Sequence, residues 1–172
     1  MKTYKFLDAD GSAVFSGFGW PLPNGAPGEW VEARVELCRS GVHACRPGDL
    51  SYWLAPLLYE IELAGDVAEA GMKVIAPHGR LVRRIDAWND ETREEYSQMC
   101  IARAGELSAS APELVGPWAP PPAASAGGPA LMGFIAARMA EAISGVEAYV
   151  DERARQSAWL AERLDLASPT PL

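Results

Sequence analysis

Cys38-Arg39-Ser40-Gly41-Val42-His43-Ala44-Cys45-Arg46-Pro47-Gly48-Asp49-Leu50-Ser51-Tyr52-Trp53-Leu54 gathers one of the chain's two histidines and two of its three cysteines. Val42 to Cys45, following the Gly41 turn, reads as a short strand. Side chains two apart on a strand share a face, so His43 and Cys45 point the same way. Pro47-Gly48 ends that strand, and Asp49 is placed to cap a short helix carrying Leu50, Trp53 and Leu54 inward. A strand, a turn and a helix thus bring an imidazole and a thiol to one mouth.

Outward from this stretch the pattern stays β-like. Trp30 to Leu37 alternates with period two, Val31, Ala33, Val35 and Leu37 opposing Glu32, Arg34 and Glu36. Leu57 to Leu63 alternates again, with Leu57, Tyr59, Ile61 and Leu63 on one face and Leu58, Glu60 and Glu62 on the other. Tyr4–Leu7 and Ala13–Phe18, joined through Asp8-Ala9-Asp10-Gly11, read as a hairpin. Met72–Ala76 and Arg80–Ile85 around Pro77-His78-Gly79 read as another, with His78 at its tip.

From Asn89 the period becomes helical. Asn89-Asp90-Glu91 is an acidic, capping start that leads into Tyr96, Met99, Cys100, Ala104 and Leu107 at helical spacing. The fold class is therefore α+β: a twisted, mostly antiparallel sheet or open barrel over about residues 4–86, then a helix. The domain would span residues 1–110. Residues 111–129, rich in Pro, Ala and Gly, read as a linker with Trp118 as an anchor. Residues 130–167 read as one amphipathic helix, with a possible kink at Gly145 and a seam of Met132, Ile135, Met139, Ala142, Val146 and Tyr149 suited to docking on the sheet or on a second copy as a homodimer.

Composition narrows the function. A length of 172 residues suits one domain, and a net charge of −8 argues against a phosphate backbone as partner. The amino terminus lacks the apolar run of a signal peptide, no stretch approaches the roughly 20 apolar residues of a membrane span, and three cysteines suit free thiols in a cytoplasmic protein. A calcium loop at Asp8 fails because the alignment puts Phe6 and Gly17 at ligand positions. Zinc on Cys38, His43 and Cys45, with Cys100 or His78, lacks a C-x-x-C knuckle, so no metal is assigned.

The reading that remains is a small-molecule-processing enzyme without a cofactor. His43 would act as general acid or base with Asp49, Tyr52 and Glu60, in a pocket walled by Cys45, Trp20 and Trp53 with Glu62 nearby. Structural explanations stand beside each assignment: a bonded core histidine, a buried cysteine, a core tryptophan, and a solvated carboxylate face for Glu60 and Glu62. A non-catalytic binding or interaction protein is the alternative.

Ser40-Gly41-Val42-His43-Ala44-Cys45-Arg46, then Asp49-Leu50-x-Tyr52-Trp53-Leu54, Leu58-Tyr59-Glu60-Ile61-Glu62-Leu63-x-Gly65 and Lys73-Val74-Ile75-Ala76, resemble a group of uncharacterised actinobacterial proteins, with related domains in phage proteins. The resemblance covers about residues 4–103 and implies no established activity. A looser similarity is to the ADP-ribosyltransferase superfamily, through Gly41-Val42-His43-Ala44, Tyr52 and Glu60-Ile61-Glu62. It implies an NAD-dependent transferase.

Overall fold

The computed structural model describes residues 2–35, 40–117, 119 and 128–166. Seven strands come first: β1 (Thr3–Leu7), β2 (Val31–Glu32), β3 (Val42–Ala44), β4 (Leu57–Ala64), β5 (Ala68–Glu69), β6 (Val74–Ala76) and β7 (His78–Arg84). A 3-10 helix at Pro47–Tyr52 lies between β3 and β4. The helices α1 (Asp90–Ser110), α2 (Pro112–Val115), α3 (Gly128–Ser144) and α4 (Val146–Arg163) follow. The fold is α+β with antiparallel sheets followed by helices, as the pattern of periods predicts.

The strands form two sheets, ordered β1-β4-β7-β2 and β3-β6-β5. Two joins roll them into an open barrel. Only Pro77 separates β6 from β7, so one bent strand runs through both sheets. At the other seam Tyr4 and Cys45 exchange backbone hydrogen bonds of 2.9 and 2.8 Å, tying β1 to the end of β3. The expected hairpin over 72–85 is therefore corrected. Pro77 interrupts pairing, and neither His78 nor Gly79 takes the positive φ a tight reversal needs. His78 is a ladder residue opposite Ala64 and Glu32, not a loop tip.

The opening hairpin is corrected as well. The Asp8–Gly11 turn forms, with the Gly11 N–H donating to the Asp8 carbonyl at 2.9 Å, but Ala13–Phe18 turns back without becoming a strand. Both edges of β1 are already taken, one by β4 and the other by Cys45. Among the described residues of the strand expected over 30–37, the ladder pairs are at Val31 and Glu32. Ala33 still donates to the Pro77 carbonyl at 2.8 Å, but Pro77 has no N–H with which to extend the ladder. Glu36 and Leu37 lie outside the described residues.

Strand alternation divides the core in two. Tyr4, Phe6 and Leu58 face the helices, with Trp88, Tyr96, Met132 and Leu160. Leu7, Tyr59 and Ile61 face the barrel interior, with Val42, Ala44, Val74, Leu81 and Trp20. The predicted faces of β4 hold, since Leu57, Tyr59, Ile61 and Leu63 all belong to the interior cluster. Asn89 caps α1, its side chain accepting from the Thr92 N–H at 3.1 Å, and Tyr96, Cys100, Ala104 and Leu107 turn inward as expected.

The single long terminal helix is instead two. Gly145, at φ 88°, stops α3, and α4 runs back along it, so that Gln156 bonds to the Gly133 carbonyl at 3.0 Å. The seam also shifts. Met132, Gly133, Ala136, Ala137 and Ala140 are buried on α3, while Ala142 and Val146 are exposed. Trp118 and residues 120–127 lie outside the described residues; within the rest of the expected linker, Pro112–Val115 forms α2 and α3 already starts at Gly128.

Candidate functional site

β3 is short, and its burial alternates: Val42 and Ala44 enter the barrel, while His43 turns the other way and is half-buried. The Nε2 atom of His43 is shielded from solvent and has no hydrogen-bond partner. Burial, then the ammonium groups of Lys73 and Lys5, hold the imidazole below the ordinary histidine range. The folded chain therefore binds fewer protons here than the unfolded chain does. Stability is expected to fall as the pH drops below about 6.5, and His43→Gln to flatten that slope in denaturation curves taken between about pH 5 and 7.

Cys45 belongs to the core cluster that faces the helices. Its thiol is buried, faces the Tyr4 carbonyl at 3.4 Å, and is pushed up to about 12 by burial and then by Asp49. A thiol in that range has almost no thiolate at neutral pH. Asp49 lies within the 3-10 helix and does not cap it; the N-cap is Arg46, whose Nε donates to Asp49 at 2.5 Å. The same guanidinium reaches Glu69 at 2.9 Å and the Gly71 carbonyl at 2.7 Å, tying the 3-10 helix to the β5–β6 turn.

The remaining predicted residues are dispersed. Tyr52 lies against α4, with the Arg153 guanidinium carbon 4.7 Å from its ring centre and Tyr149 at 6.5 Å. Glu60 and Glu62 share one face of β4, and each takes an arginine from β7: Arg83 at 2.8 Å and Arg80 at 2.7 Å. Among the described residues no hydrogen bond or ion pair joins His43 to Asp49, Tyr52 or Glu60. Trp53 donates to the Met72 carbonyl at 2.7 Å and meets the exposed Phe15 edge-on at 6.2 Å. Trp20 is buried at the barrel mouth, with Phe18 at 5.8 Å and the Lys5 ammonium 4.8 Å from its ring centre.

Two shallow depressions lie on the helical side, and none of these residues lines either of them. The larger in its lining is bounded by Arg103, Asp151, Glu152 and Arg155, the other by Val146 and Val150. Among the described residues no group of three or more His, Cys, Asp or Glu could hold a metal; Cys38 lies outside them. No helix of the described chain is long and apolar enough to cross a membrane.

Sequence reasoning missed a polar cluster between α1, α3, α4 and the 3-10 helix. Gln156 accepts from the Tyr96 hydroxyl at 3.0 Å and from Arg153 at 3.1 Å, and donates to Gly133 and Glu152, both at 3.0 Å. Arg153 also donates to the Ser51 carbonyl at 2.5 Å, and Ser157 bonds Ser51 at 2.9 Å. Glu152 is shared by Arg103 and Arg155. The available signal was helical spacing: 152, 153, 156 and 157 stack one turn apart beside Leu160 on the buried face. Comparison with family models, curated proteins and solved structures returns no match.

Proposed function

We propose that the protein binds and processes a small molecule by proton transfer at His43. The observation that carries this reading is the unpartnered, shielded Nε2 of His43. A buried polar atom left without a hydrogen bond costs about 1–3 kcal/mol, and a ligand donor or acceptor would recover it. Burial, and then two nearby lysines, favour the neutral ring, which can take a proton from a ligand at neutral pH. Asp49 and Glu60, each bound to an arginine, then balance charge and leave the proton-transfer role to His43.

His78, the other histidine, is an internal control. In an imidazole-detected NMR titration against a library of small acids, alcohols and amides, at least one compound is expected to move the His43 signals and not those of His78. The effect should be lost in His43→Gln. A library that moves neither histidine, or both equally, refutes the reading.

A second reading, a protein-interaction module, is favoured by the apolar residues that the α3–α4 pair leaves exposed: Leu131, Phe134, Val146 and Val150. Light scattering across a concentration series separates it from the first, including the homodimer case. NAD-dependent transfer finds less support, because Glu60 and Glu62 are both engaged by arginines.

A further inference from the structure

The chain carries twelve arginines but only three lysines, Lys2, Lys5 and Lys73. An arginine does not deprotonate in a protein, so lysine is its only side-chain source of a neutral amine. Lys5 lies in the middle of β1, opposite Tyr59 and on the barrel side with Leu7. Beyond the Tyr4–Cys45 pair the edges of β1 and β3 part, and the Lys5 ammonium bridges the gap to the His43 backbone carbonyl at 2.9 Å. The Trp20 ring covers it at 4.8 Å. Among the described residues no carboxylate forms an ion pair with Lys5.

This is an unusual way to hold a cation. Its contacts are one neutral carbonyl and one π face, in an apolar barrel mouth where a charge is poorly solvated. Desolvation lowers Lys5 to about 8, so a useful fraction of the side chain is free amine near neutrality. An amine buried only to plug a seam needs no such balance, and a methionine of similar length would fill the gap.

We propose that Lys5 is a reactive amine that condenses with a small aldehyde or ketone of flat, apolar body at the seam between β1 and β3 beneath Trp20. The neutral Nζ attacks the carbonyl carbon and forms the C–N bond, and the C=O π pair moves onto oxygen. Oxygen collects the two amine hydrogens by way of solvent and leaves as water, giving an imine with no net oxidation or reduction. The His43 carbonyl accepts one N–H and fixes the amine rotamer, while the indole provides a flat surface for the carbonyl compound. The inference goes beyond the acid–base reading, because Lys5 bonds the backbone of His43 and not its imidazole.

The test is competitive reductive labelling of the intact folded chain. Benzaldehyde or glyoxylate is added with cyanoborohydride, and peptide mass spectrometry gives a rate for each lysine between about pH 6 and 9.5, normalised to the denatured chain. At pH 7.5 Lys5 is expected to label at least about tenfold faster than Lys2 and Lys73, because burial lowers it to about 8 and leaves an appreciable part of it as free amine there. Its rate should have a midpoint near 8. Lys5→Arg, checked for folding by circular dichroism, should lose the fast site. Labelling of Lys5 at or below the rate of Lys2 and Lys73 overturns the proposal, since that is how a structural plug behaves. Equal labelling by the two aldehydes, or preference for glyoxylate, overturns the apolar substrate class.

Discussion

Replacing Gly133 by alanine is expected to lower stability by about 2–3 kcal/mol, seen as a fall in denaturant midpoint at unchanged slope. Helix propensity alone predicts the opposite sign, a gain of about 1 kcal/mol for Gly→Ala inside a helix. Packing decides the outcome. A Cβ at position 133 would lie 2.4 Å from the Tyr96 hydroxyl oxygen, 2.9 Å from Gln156 Oε1 and 3.0 Å from an Arg153 nitrogen. The Tyr96 hydroxyl and Arg153 both donate to Gln156, so moving any one of them breaks a hydrogen bond in a buried site. An alanine variant as stable as the parent would show that α3 can back away from α1 and α4 at no cost.

Gln156→Leu is expected to cost more, about 3–4 kcal/mol, although it swaps a fully buried side chain for an apolar one of similar volume. It removes four hydrogen bonds at once. The Tyr96 hydroxyl, the Gly133 carbonyl and one Arg153 nitrogen each lose a partner where little water can replace it, and each such loss is worth about 1–3 kcal/mol. The residues act as a unit. A double variant with Tyr96→Phe should therefore lose less than the sum of the two single losses in a thermal or urea denaturation cycle. Tolerance of leucine within about 1 kcal/mol would mean that the cluster adds little beyond its packing.

The alternation of β4, the Asn89 cap and the inward face of α1 were legible because each depends on neighbours in sequence: a period of two, a cap three residues from its donor, a period near 3.6. What failed depends on partners distant in sequence. The pairing of β1 with β4 and Cys45, which displaced the opening hairpin, is decided by which edges are free, and no local window carries that information. Pro77 was read as a reversal because Pro-Gly-rich stretches usually turn, yet here the chain bends and keeps pairing on both sides.

For the candidate site, the sequence singled out His43, Cys45, Trp20 and Trp53 by residue type, and all four lie partly or fully inside the fold. It did not foresee that Asp49 would be taken by Arg46 three residues before it, or Glu60 and Glu62 by arginines of β7. Nor did it single out Lys5. That lysine reads as an ordinary strand residue until the gap it spans and the indole above it are in view.

The pairing of β1 with β4 also sets a timetable for synthesis. The Thr3 hydroxyl bonds the Ile61 carbonyl 58 residues further on, and Ser51 meets Ser157 at a separation of 106. At about 5–20 residues per second a ribosome needs roughly 3–12 s to supply the first partner and roughly 5–21 s to supply the second. Throughout the first interval the β1 edge that β4 will cover is open, which is when a chaperone or a neighbouring nascent chain has most opportunity to bind it. The 3-10 helix then waits for α4, so the helical layer closes over the sheets late in synthesis or after release.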